Sequence, residues 1–104
     1  IKPDDWLDPS KTTVDDMSEE NESHINHYED EFTEPVTEGT YVVMMDLIPT
    51  DDPPSGHMAI INVNENGKVF GGHYSGKFGD FSYNDIDSFE NGFVQEGFHY
   101  LKVD

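Results

Sequence analysis

"TYVVMMDLI", residues 40–48, is a short unbroken run of β-prone apolar residues and reads as the central strand of a sheet. Working outward from it, "PTDDPPSG" (49–56) is a proline-loaded loop and "HMAIINVN" (57–64) a second strand. "NENG" (64–67) ends in Asn-Gly, the strongest short hairpin signal, so "KVFGGHYS" (68–75) is read as the third strand, paired with the second. Its Gly71–Gly72 pair indicates a bulge or a close backbone approach. "GKFGDFSYND" is a loop or an irregular edge strand. "DIDSFENG" (85–92) is one helical turn ended by Gly92, and "GFHYLKV" (97–103) is a final strand.

On the N-terminal side of the central strand the pattern changes. Val14, Met17, Ile25, Tyr28 and Phe32 recur at spacings that fit a period of 3.6, which predicts an amphipathic helix over 12–33. Thr13 with Asp16 three residues on resembles a capping box, and Pro35 bars continuation. Glu29, Asp30 and Glu31 would sit at the negative end of that helix, against its dipole. Residues 1–11 carry two prolines and the pair Trp6–Leu7, an extended arm with Trp6 as an apolar anchor. The expected fold is one α+β domain over 1–104: an acidic helix at 12–33 on an antiparallel sheet of four or five strands within a β-rich core at 40–104. The alternative is a small β-barrel carrying an N-terminal helix.

Charge bounds the function. The chain has 23 acidic residues, five lysines and no arginine, a net charge of -18. It repels nucleic acid and anionic membranes, so its expected partners are basic proteins or divalent cations. Without arginine there is no bidentate clamp for phosphate or carboxylate. Without cysteine there are no disulfides, thiolate nucleophiles or thiolate-bound zinc. The same absence favours a soluble protein of the cytoplasm, with secretion as the other option. No apolar run approaches the roughly 18 residues of a membrane span.

Several patterns invite specific chemistry. On a helix, Glu20, His24, His27 and Glu31 would form one stripe at i, i+4, i+7 and i+11, which suits a divalent metal held by Glu20–His24 or His27–Glu31. An ordinary solvated helix face accounts for the same spacing. "GGHYSGKF" (71–78) follows the phosphate-loop pattern for seven positions, then has Phe78 where a magnesium-binding hydroxyl is required. "NDIDSFENG" (84–92) alternates carboxylates, but counted from Asp85 the sixth position of a calcium loop is Glu90 rather than glycine, and a helix cap explains the pattern. The aromatic residues from Phe70 to Tyr100 lack the basic surroundings of a base-stacking platform and read as core.

Eight carboxylates lie between Asp15 and Glu31. Along a helix of roughly 24 Å this is about one charge per 3 Å, close to the phosphate spacing of one DNA strand. The expectation is a non-enzymatic acidic protein that docks on a basic surface of a larger partner. Its sharpest form is an inhibitor of a nucleic-acid-binding enzyme that mimics nucleic-acid charge, as viral or immunity-type blockers do. The expected contact set is Trp6, Asp15, Asp16, Glu19, Glu20, Glu22, Glu29, Asp30 and Glu31. The competing functions are a structural accessory protein of a virion or extracellular assembly, and a divalent-metal-binding protein using the histidine stripe.

Overall fold

Strand β1 (Gly39–Ile48) sends Tyr41, Val43 and Met45 to one face of the sheet and Val42 and Met44 to the other, and all five are buried. Side chains on a strand alternate, so a continuous apolar run is what a strand covered on both faces requires. The computed structural model describes residues 25–34, 36–48, 55–72, 78–93 and 95–103.

β2 (Ser55–Val63) and β3 (Val69–Gly72) follow β1 as antiparallel neighbours, and β4 (Phe81–Tyr83) forms one edge. Helix α1 (Ile86–Gly92) then leads to β5 (Glu96–Lys102), which pairs antiparallel with β1 at the opposite edge. The strand order is β4-β3-β2-β1-β5. Crossing from one edge to the other spans four strand spacings, about 19 Å, so the connection must lie across a face. Helix α1 crosses the face formed by Tyr41, Val43, Met45, Ala59, Ile61, Val63, Val69 and Tyr100, and buries Phe89 against it. Ile86, Phe89 and Phe93, spaced i, i+3 and i+7, are its sheet-facing stripe. Asp85 caps it, its Oδ1 accepting the Ser88 N–H at 2.7 Å. That bond to the charged form holds the Asp85 carboxyl below the ordinary aspartate range.

The opposite face carries Val42, Met44, Met58, Ile60 and Leu101, and it is covered by residues 25–33 through Ile25, Tyr28 and Phe32. These are the three apolar positions expected there, but the element bearing them is not the expected one. Within 25–33 only Ile25 to His27 are helical; a turn follows, with the Glu31 N–H on the Tyr28 carbonyl at 2.8 Å. Among the described residues the one substantial helix is α1, near the C-terminus, so an N-terminal helix packed on the sheet is not the architecture. Three successive carboxylates at a helix C-terminus oppose the dipole, and packing of the side chains on the sheet does not need the helix to continue. Residues 12–24 of the expected helix, and the arm 1–11, lie outside the described residues. The barrel alternative fails as well: β4 and β5 are opposite edges of an open sheet.

The β2–β3 connection is a hairpin, as Asn66-Gly67 indicated. It is not the two-residue turn that needs a left-handed Asn, because no described residue other than glycine has positive φ. The Gly67 N–H instead donates to the Asn64 carbonyl, Gly67 takes φ +81°, and the Asn64 side chain accepts from the backbone of Asn66 and Lys68.

Candidate functional site

The segment before β1 passes from one face of the sheet to the other around the β5 edge. Tyr28 and Phe32 pack on the methionine-bearing face. The Thr33 N–H then donates to the outward Tyr100 carbonyl at 2.8 Å, covering part of an otherwise open edge. Val36 packs on the other face, and Thr37 exchanges two hydrogen bonds with the buried Tyr41 hydroxyl, at 3.1 and 2.8 Å. This strap and helix α1 flank β5 and leave a groove of about 880 Å³ between them. Glu29, Phe32, Thr33, Glu34 and Val36 form one wall; Ile86, Asp87 and Glu90 form the other; Gly97 to Tyr100 form the floor.

Each part of the groove has a local cause. In β5 the register against β1 shifts between Met45 and Asp46, leaving Gly97 as an extra residue at φ +61°. A Cβ at Gly97 would collide with the Asp46 carboxylate, so glycine is required both by conformation and by space. Asp46 in turn lies 2.9 Å from Nε2 of His99, and the His99 ring lies against Phe32 with centroids 5.1 Å apart. This sequence of contacts sets Phe32 at the groove wall. On the other side, the nearly buried Tyr100 donates its hydroxyl proton to Oε2 of Glu90 at 2.5 Å, tying β5 to α1. Burial, then the bond to Glu90 and the charges of Glu90 and Asp87, push the Tyr100 hydroxyl well above the ordinary tyrosine range. The phenol is therefore a fixed hydrogen-bond donor at neutral pH, and the Glu90 side chain that it holds lines the groove.

Four carboxylates, from Glu29, Glu34, Asp87 and Glu90, rim half-buried apolar residues, and neither described lysine contributes to the lining. Lys68 sits over the Phe70 ring, 5.2 Å from its centroid, near a smaller hollow of about 440 Å³ lined by Asn62, Phe70, Phe78 and Gly79. Phe78 there is the one large apolar side chain that is exposed among the described residues.

Of the sequence-derived contact set, Glu29 lies in the groove wall, while Asp30 and Glu31 are exposed outside it. Trp6, Asp15, Asp16, Glu19, Glu20 and Glu22 lie outside the described residues. So do Glu20 and His24 of the metal stripe. Its other half, His27 and Glu31, does not share a continuous helix: the helical turn stops at His27, whose ring meets Tyr28 edge-on with centroids 4.6 Å apart. Among the described residues no three His, Asp or Glu side chains gather as a metal centre would require. Glu34, Asp87 and Glu90 were not singled out as partner-binding from the sequence. Asp87 and Glu90, at i and i+3, flank the apolar stripe of α1, but only the edge-to-edge crossing of α1 brings them opposite Glu29 and Glu34. No helix among the described residues is long and apolar enough to cross a membrane. No protein family, no curated protein and no solved structure matches the chain.

Proposed function

We propose that this is a non-enzymatic acidic interaction protein that docks on a basic surface of a larger protein. In its sharpest form it inhibits a nucleic-acid-binding enzyme by occupying, with carboxylates, positions otherwise held by phosphates. A cytoplasmic setting suits a chain without cysteine. The observation that carries the reading is the groove at the β5 edge: four carboxylates and neither described lysine line it, in a chain of net charge -18. The described carboxylates do not form a straight helical row like a phosphate strand. They sit on the strap, which rounds the β5 edge from one face of the sheet to the other, and on α1, which lies on one face. The docking surface is therefore two-walled, and recognition depends on the shape of the partner as well as on its charge.

Capture of basic proteins by the immobilised full chain tests the reading. Bound partner should fall steeply between about 50 mM and about 200 mM salt, because each ion pair formed releases counterions that added salt drives back. Capture that is insensitive to salt rejects the electrostatic mechanism.

A further inference from the structure

The groove combines two features that select one kind of occupant. Its inner surface is apolar and aromatic: Phe32, Val36, Ile86 and Phe98 are half-buried there, and the His99 and Tyr100 rings complete it. Its rim is anionic. An anion meets like charge on both walls. A purely apolar segment leaves Glu29, Glu34, Asp87 and Glu90 beside it without a counter-charge. A bare metal ion finds no set of three ligands among the described residues. A long cationic side chain satisfies both features, because its stem lies on apolar surface while its head reaches the rim.

We infer that the groove receives an arginine-bearing, extended segment of the partner protein, with the guanidinium between the carboxylates of α1 and those of the strap. This deepens the docking reading and rests on it. Arginine is favoured over lysine for two reasons. Its planar head stacks on rings such as Phe32 and Phe98, and it engages a carboxylate through two parallel hydrogen bonds. Glu90 is prepared to accept a single bond from that head, since the Tyr100 hydroxyl holds one of its oxygens and fixes the group in place, while the two-bond contact falls to an exposed carboxylate such as Asp87. The preparation lowers the ordering cost that an unrestrained glutamate would add on binding. The volume, about 880 Å³, lies in the range of built ligand sites, roughly 300–1,000 Å³, so a few residues fit rather than one ion.

The test uses the full chain and a fluorescein-labelled peptide, acetyl-Ala-Arg-Ala-Arg-Ala-amide, at low salt, read by anisotropy and by amide shifts in β5. Two double variants change the net charge equally. Glu29→Gln with Asp87→Asn alters exposed residues of the groove, and Glu65→Gln with Asp80→Asn alters exposed residues away from it. The groove pair should weaken peptide binding about tenfold, as expected for the loss of two part-exposed ion pairs, and the distant pair less than about twofold. The lysine version of the peptide should bind more weakly, and spermine, which has no side chains to stack, should not displace the arginine peptide at equal concentration. Equal weakening by the two double variants overturns the inference, as does displacement by spermine or equal affinity for the lysine peptide. Absence of peptide binding also overturns it, and leaves the docking reading standing where capture of basic proteins still falls with salt. Loss of both peptide binding and salt-dependent capture overturns the two together.

Discussion

The two faces of the sheet are covered by different means. One is sealed by α1, a capped helix whose Phe89 meets Phe81, Tyr83, Phe93 and Phe98 with ring centroids 4.9 to 5.8 Å apart. The other is covered by a strap that, among the described residues, is helical only at 25–27, and whose Tyr28 and Phe32 rest on methionine, isoleucine, valine and leucine. The aromatic face has directional ring packing and a backbone that satisfies its own hydrogen bonds. The strap has side-chain burial, the Thr33 bond to β5 and little regular backbone structure. A face can thus be closed by apolar side chains at suitable spacing whether or not the backbone between them is helical, and the two closures should differ in strength.

Truncation tests that difference, and Phe89→Ala should have the largest effect. Removing a fully buried ring that meets four other aromatics should cost about 3–5 kcal/mol, measured as a fall in the urea midpoint at unchanged slope. Tyr28→Ala on the strap should cost less, about 2 kcal/mol, because an irregular segment settles into the space more readily than a helix does. The same variant should speed hydrogen exchange at the Thr33 amide, whose bond to Tyr100 holds the strap to β5. Equal losses at Phe89 and Tyr28 would mean that the two covers are equally rigid.

Smaller effects sharpen the comparison where strap, β5 and helix meet. Tyr100→Phe removes the bond to Glu90 and should cost about 1 kcal/mol in chemical denaturation while leaving the ring packing in place. In the unaltered protein the raised Tyr100 ionisation favours folding fully below the ordinary tyrosine value of 10.0, and the contribution is lost as pH rises through the higher folded value. A spectrophotometric titration should therefore show one tyrosine that stays protonated well past pH 10.0 until the chain unfolds, and Tyr100→Phe should remove that late component.

The smallest expected effect is at Asp85. Its lowered ionisation gives a contribution that is complete above the ordinary aspartate value of 3.8 and is lost as pH falls through the lower folded value. Asp85→Ala should lower the melting temperature by a few degrees at pH 6, and the difference from the unaltered chain should shrink below pH 3.8. A difference that is constant with pH would show that the carboxylate charge is not what supports the cap.

Much of the strand content was legible in the residue order. The unbroken run at 40–48, the Asn-Gly turn and the apolar run at 57–64 correspond to β1, the β2–β3 hairpin and β2, with ends displaced by one or two residues. The region around Phe81 to Tyr83, read as loop or irregular edge, is the short edge strand β4, and the turn at 85–92 is the capped helix α1. The stripe of Ile25, Tyr28 and Phe32 was correct as to burial, but only Ile25 lies in helix, while Tyr28 and Phe32 lie in the turn and the irregular chain beyond it. Periodicity reports which side chains must leave water, and two backbones can place residues spaced by three and four on the same surface.

Local order along the chain dictated which residues could be buried, where turns fell and how negative the molecule would be, because those properties depend on neighbours a few positions apart. The choice of cover for each face, the extra residue at Gly97 and the meeting of Glu29 and Glu34 with Asp87 and Glu90 were settled only by packing. Those two carboxylate pairs are more than fifty positions apart in the chain. They face one another only because a helix had to cross from β4 to β5 over one face of the sheet while the strap rounded the same edge from the other.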